Sequence, residues 1–388
     1  MTTRRDFLKI AAITAAAVTG TGMSRNRLFA DGVAAGADAA AAAPVALKQT
    51  IDWHNHWISP KVIDLFKQRT SLPRVDTDGH GKLAFFGTLS TPLPLTREFS
   101  DVDARLDQIA KAGIDRQVIS WPTTLGADAL LSADEAKPIW TAYNNDLSDL
   151  VRAHPDKFSG LAVLPTSDTA WAADELERAH TQLGLIGVVL PVGAFQSQDS
   201  FDKLAPIFEV AQKHHSHIYL HTGPASVGFP GQWDPKFIAG DAPAIRGTLE
   251  TGATFAQGAN VLVQSGVQDR YPDVTIQIAM LGGVASFGVG GGMPGGNPAQ
   301  NADATADSHP FGNIYFDTGV FGRSPHIVNF AAAKLGSDRI LFGSDYPLAP
   351  TETTIASVKD SGLASSDLSR IFVDNGQALF AKIGRAVA

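Results

Sequence analysis

Lys137-Pro138-Ile139-Trp140-Thr141-Ala142-Tyr143-Asn144-Asn145-Asp146-Leu147-Ser148-Asp149-Leu150-Val151-Arg152-Ala153-His154 leads into a short apolar segment, Gly160-Leu161-Ala162-Val163-Leu164. In the first stretch Ile139, Trp140, Tyr143, Leu147, Leu150 and Val151 recur at helical spacing and predict one buried face. The second stretch reads as a strand. Working outward, similar apolar or β-branched runs stand at 49–54, 117–121, 187–190, 218–221, 274–279, 314–317 and 339–342. Helical patterns fall between most of them, at 170–183, at 201–214 and at 325–335, where a proline occupies the first turn. Alternating strands and helices call for a parallel sheet. Eight such units in the chain from 44 to 388 predict an α/β fold, a closed (β/α)8 barrel in one domain. An open doubly wound sheet is the rival, but no Gly-x-Gly-x-x-Gly follows the first strand.

Two interruptions are expected. Residues 74–86 contain Asp78-Gly79 between strand-like residues, which predicts a hairpin insertion after the first strand. Six of the nine residues 288–296 are glycine, and a polar stretch follows to Asp307. That segment lacks the Gly-Lys-Ser/Thr ending of a phosphate loop, so a loop over the barrel mouth is expected after the sixth strand.

The first 43 residues read as an address. Arg4-Arg5 precedes the apolar run 10–22 and a tail of small residues, the layout of a twin-arginine export signal. Thirteen residues with several Gly and Thr fall short of the roughly 20 that span a bilayer. The expected location is periplasmic or extracellular, with no membrane association after the signal is removed. Five basic and three acidic residues lie in 1–43, so the formal charge of −8 becomes −10 beyond them. An acidic chain without a long basic run argues against nucleic acid as a partner. With 44% apolar residues the chain can bury a large core, and with no cysteine it can build neither disulfides nor a thiolate metal cage.

Chemistry is expected at the strand ends. Ile51-Asp52-Trp53-His54-Asn55-His56 ends the first strand. Side chains two apart on a strand share a face, so His54 and His56 are expected to point into the barrel together. His221 ends the fifth strand, and Asp345 follows the eighth in Phe342-Gly343-Ser344-Asp345-Tyr346-Pro347. All four fall at the C-terminal rim of a barrel, where such folds place active sites. Three imidazoles and a carboxylate suit one divalent metal, Zn²⁺ or Mn²⁺. The fourth strand, Gly187-Val188-Val189-Leu190-Pro191, offers no lysine to bridge a second.

Several longer strings extend this reading. They are His154-Pro155-Asp156-Lys157-Phe158, Ser265-Gly266-Val267 with Arg270-Tyr271-Pro272-Asp273, Ile314-Tyr315-Phe316-Asp317-Thr318, and Asp338-Arg339-Ile340-Leu341-Phe342-Gly343-Ser344-Asp345-Tyr346-Pro347. With them the chain resembles, over nearly all of 50–384, the amidohydrolase-related family. The resemblance is closest to its aminocarboxymuconate-semialdehyde decarboxylase-like and 6-methylsalicylate decarboxylase-like branch. It implies a TIM barrel, one divalent metal, and ligands matching His54, His56, His221 and Asp345. The chain departs from that family in one place. Ile278-Ala279-Met280-Leu281-Gly282-Gly283 puts Met280 where the family usually carries a histidine. A thioether neither accepts a proton usefully nor ligates a hard cation well.

The expected activity is non-oxidative decarboxylation of a small aromatic or unsaturated carboxylic acid, with Asp345 as metal ligand and proton carrier. Hydrolysis of an ester, lactone or amide is the alternative, and a metal-containing binding protein impaired by Met280 is a third. His309, ahead of the seventh strand, is a candidate catalytic substitute for the missing histidine. Asp317 either orients a ligand or caps the next element. Trp57, Trp121, Phe287 and Phe321 line an apolar pocket or belong to the core. Arg97, Arg246 and Arg323 are candidate carboxylate grips or surface charges. His214, His215 and His217 read as solvated helix-end histidines. The expected partner is a small-molecule substrate, and a homodimer is left open.

Overall fold

The fold is that of a computed structural model. It describes residues 50–232, 243–288 and 311–384, apart from the side chains of 243–249 and 287–288. The export segment, His309 and the glycine-rich loop beyond Gly288 lie outside the described residues. These described residues all fall within one unit, Val45–Ala388.

Eight parallel strands form the barrel in the order β1 (Ile51–His56), β5 (Arg116–Ser120), β6 (Phe158–Val163), β7 (Gly187–Pro191), β8 (His217–His221), β9 (Thr275–Ile278), β10 (Ile314–Asp317) and β11 (Ile340–Leu341). They correspond to the eight runs read from the sequence, and every residue in them is buried. Parallel strands covered on both faces read as nearly continuous apolar runs for this reason. The ring closes between β11 and β1. Trp53 N–H donates to Phe342 O at 2.9 Å, Asp345 N–H to His54 O at 2.7 Å, and His56 N–H to Tyr346 O at 2.7 Å.

The helix Ala133–Ala153 starts where Ser132 and Glu135 form a capping box, and it buries Ile139, Trp140, Tyr143, Leu147 and Leu150. Helix Pro325–Leu335 matches the sequence reading. The stretch 201–214 does not form one helix. It is divided between Gln198–Lys203 and Ala205–Lys213, because Pro206 has no N–H for a continuous ladder. The expected insertion is present and larger than a hairpin: β2 (Arg74–Thr77), β3 (Leu83–Phe86) and β4 (Leu93–Pro94) form an antiparallel sheet. Asp78 fixes its first turn by accepting from the N–H groups of His80 and Lys82 at 2.8 and 2.9 Å. Phe85 of β3 packs against Phe66 and Trp121, which joins the small sheet to the barrel core. Among the described residues no helix is long and apolar enough to cross a membrane.

Candidate metal centre

The centre is built from three βα junctions. His54 and His56 end β1, His221 ends β8, and Asp345 stands in the turn after β11. One ligating atom from each lies within 4.8 Å of the others, and all four residues are buried. His54 Nε2 is 3.1 Å from His221 Nε2 and 3.1 Å from Asp345 Oδ1, and His56 Nε2 is 3.1 Å from the same oxygen. Two donors bound to one cation at about 2.0–2.1 Å stand about 3.0–3.4 Å apart. The side chains therefore fit one ion.

The outward nitrogens explain why the inward ones are free to ligate. His54 Nδ1–H donates to Asp317 Oδ1 at 2.7 Å. Ser120 donates its hydroxyl proton to Asn55 O, so at 3.3 Å it accepts from His56 Nδ1–H. Thr123 likewise donates to Thr222 O and accepts from His221 Nδ1–H at 2.9 Å. With a proton held on each Nδ1, each neutral ring turns the Nε2 lone pair to the centre, and on His54 a cation would take the place of the second proton that the carboxylates otherwise hold there.

Backbone conformation completes the arrangement. In β1 the pairing with β5 shifts between Asp52 and Asn55, a bulge that sets Trp53 and His54 against one partner residue. Asp345 has φ 63°, a left-handed conformation that aspartate tolerates better than most residues, and it turns the carboxylate back over β1. A Cβ at Gly343 would stand 2.5 Å from His54 Cβ, so only glycine leaves room for the imidazole.

Beneath the ligands lies a buried charge network. Asp52 accepts from Ser344 N–H and hydroxyl, from the Gln117 amide and from His54 N–H. Arg105, fully buried, donates to Gln117 Oε1 at 2.9 Å, to Asn55 Oδ1 and to the His56 carbonyl. Burial lowers Arg105 to about 10, which leaves it charged at neutral pH. Asp52, Asp317 and Asp345 against this one guanidinium give a formal surplus of two negative charges, which one divalent cation neutralises. The same surplus acts on the histidines. Burial opposes a charge on His54, but Asp317 and Asp345 outweigh it and raise His54 to about 10. Burial, together with the neighbouring imidazoles, pushes His221 well below its ordinary value. For Asp345 burial disfavours the carboxylate, and His54 overrides it to hold the group well below the usual range.

A family model described as Amidohydrolase matches residues 51–382. The chain belongs to the amidohydrolase family. Gamma-resorcylate decarboxylase of Polaromonas sp. is 27% identical over 295 residues, 72% of this chain and 86% of that protein. 2-Amino-3-carboxymuconate-6-semialdehyde decarboxylase of Dictyostelium discoideum is 25% identical over 289 residues, covering 72% and 76%. Among solved structures, dihydroxybenzoic acid decarboxylase from Polaromonas sp., with bound manganese and 2-nitroresorcinol, shares the fold. Its TM-score is 0.62 at 21% identity, covering 87% of this chain and 98% of that one.

In this member of the family the four expected ligands come together, and Asp317 stands behind His54. Met280 follows β9 with φ 55°; its N–H reaches Asp317 Oδ1 at 3.2 Å and its sulfur lies 3.9 Å from the Thr222 hydroxyl. His217 corrects the sequence reading. Instead of being solvated, it is fully buried between Thr275 and Gln277. His214 and His215 do lie nearer the surface, beside Glu177 and Asp273. Trp57 and Trp121 belong to the core, and Phe321 packs partly buried against it. Arg97 is exposed and paired with Asp101, and Arg323 is exposed. The side chains of Arg246 and Phe287 lie outside the described ones. Sequence reasoning missed Asp52, Arg105, Gln117, Ser120, Thr123 and Gln277. Gln117 and Gln277 carried a readable signal, as polar side chains inside otherwise apolar strands.

Proposed function

We propose that this amidohydrolase is a mononuclear, metal-dependent carboxy-lyase that removes CO₂ from a small aromatic or unsaturated carboxylic acid. The observation that carries the reading is the donor set: three Nε2 atoms and Asp345 Oδ1 facing one point, each ring turned by an outward hydrogen bond. The reaction class is supported by relatives named as decarboxylases of both an aromatic and an open-chain acid. His54, His56, His221 and Asp345 would hold Zn²⁺ or Mn²⁺, and manganese in a fold neighbour supports the second. When bound, the cation supplies positive charge that draws the substrate carboxylate and an adjacent oxygen.

Asp345 is the group assigned to move the proton. The oxygen facing His54 and His56 is Oδ1, which leaves Oδ2 to take up a proton from water and pass it to substrate, so that Asp345 starts and ends each turnover as the carboxylate. The bond between the carboxyl carbon and its neighbour breaks, and the electron pair stays on the neighbour. A C–H bond forms there with the delivered proton, and CO₂ departs. Met280 supports decarboxylation over hydrolysis, because a thioether at the end of the sixth barrel strand cannot take a proton from water.

One metal-loaded sample decides the matter when offered 2,6-dihydroxybenzoate and other aromatic acids for CO₂ release, and esters and lactones for acid release. CO₂ release is expected. Acid release alone would establish the hydrolase, and metal binding without turnover of any of them would favour the binding protein. Met280→His should leave decarboxylation without gain, whereas a large gain in hydrolysis would mark a degraded hydrolytic site.

Export through the twin-arginine route is part of the same proposal, supported by Arg4-Arg5 ahead of the apolar run 10–22. Cell fractionation should find the full chain outside the cytoplasm, and Arg4→Lys with Arg5→Lys should retain it. Equal export of both forms would remove this part.

A further inference from the structure

The barrel interior below the ligands holds polar side chains for which the proposed reaction has no use. Alternation along β8 puts His217, Tyr219 and His221 on one face, so the strand that supplies one ligand also carries a buried histidine at its other end. His217 Nε2 lies 3.0 Å from Gln277 Oε1, and its Nδ1 lies 3.0 Å from the Thr275 hydroxyl. Gln277 Nε2 reaches Trp53 O at 3.1 Å and Asp317 Oδ2 at 2.6 Å. Asp317 Oδ1 receives His54 Nδ1–H at 2.7 Å. All these side chains are buried.

Hydrogen-bond bookkeeping allows one direction only. Trp53 O and the Asp317 carboxylate both need donors, so the Gln277 amide must present its NH₂ to them. A reversed amide would set its oxygen against two acceptors. Gln277 Oε1 then needs a donor, and His217 Nε2–H supplies it. Burial lowers His217 to about 4, so the ring is neutral and its Nδ1 accepts from Thr275. The chain therefore runs from the Thr275 hydroxyl through His217 and Gln277 to Asp317, and meets His54 Nδ1–H there.

We propose that Gln277 and His217 are positioning residues that lock the Asp317 carboxylate and, through it, the ring plane and tautomer of His54. This rests on the reading of His54 as a metal ligand. The alternative is that the two side chains merely satisfy one another in the interior.

The test uses the full chain, stripped of metal and titrated with Co²⁺, reading affinity by chelator competition and geometry by the visible absorption of bound Co²⁺. Gln277→Leu should weaken Co²⁺ binding by about 10–100-fold, the usual effect of losing support behind a ligand, and should change the spectrum. His217→Leu removes the donor to Gln277 and should act in the same direction. His217→Gln keeps an N–H donor and should restore both affinity and spectrum. Co²⁺ affinity and spectrum unchanged in both leucine variants would overturn the proposal. Should Gln277→Leu fail to fold, the His217 pair decides alone, and equal behaviour of leucine and glutamine there would also overturn it. A native chain that takes up no Co²⁺, Zn²⁺ or Mn²⁺ would instead refute the ligand reading itself.

Discussion

His54 and His221 present their Nε2 atoms 3.1 Å apart, yet the supports behind them differ in kind. His54 leans on a buried carboxylate of barrel strand β10, itself held by β9. His221 leans on the Thr123 hydroxyl, in the short turn that follows β5. One support is charged and anchored in the sheet; the other is neutral and sits on a rim segment. Charge-assisted hydrogen bonds are roughly twice as strong as neutral ones. The comparison teaches that the β1 side of the centre is preset by the barrel, while the β8 side depends on how the loops settle.

The sharpest way to break that contrast is to remove the β1 ligands altogether. His54→Ala with His56→Ala should abolish stoichiometric metal uptake by elemental analysis, and full occupancy in this variant would reject the ligand assignment. Next comes the anchored support. Asp317→Asn should cost about 10–100-fold in metal affinity, because an amide no longer demands the Nδ1–H tautomer of His54. Thr123→Val is the matched change on the other side, and its loss should be smaller, at or below about 10-fold. Equal losses in the two variants, measured by chelator competition, would erase the distinction.

The smallest effect concerns pH. In the metal-free protein Asp317 and Asp345 overcome burial and raise His54 from 6.5 to about 10. A raised value in the folded state means stability fully present below about 6.5 and lost as pH rises through about 10. Thermal unfolding of the chelated protein should therefore show a lower midpoint at pH 9.5 than at pH 6.5. The metal-loaded protein should lack this particular loss, since its His54 is a neutral ring that keeps only the Nδ1 proton and has no second one to give up. A chelated protein as stable at the higher pH as at the lower would count against this electrostatic picture.

The sequence was most legible where a local pattern decides the outcome. Eight buried parallel strands announce themselves as apolar runs, and the His54–His56 pair follows from two-residue alternation. Asp345 was legible as a strand-end acid, but its left-handed backbone was not. The break at Leu204 was readable in principle from Pro206. What remained hidden depends on distant partners. Arg105 becomes a buried cation only because the fold sets Asp52, Gln117 and Asn55 around it. His217 looked like a helix-end residue because it follows His214 and His215 in the chain. Its burial is decided by Thr275 and Gln277, which lie about sixty positions later.

Two of the three bonds that close the ring between the last barrel strand and the first come from residues that carry the metal-facing groups: Asp345 to His54, and His56 to Tyr346. Loading an ion there would clasp the hoop at its join, so occupancy and closure become one cooperative event. Chelation should accordingly speed amide exchange first at His56 and Asp345, well before the opposite wall of the barrel around β7 begins to open.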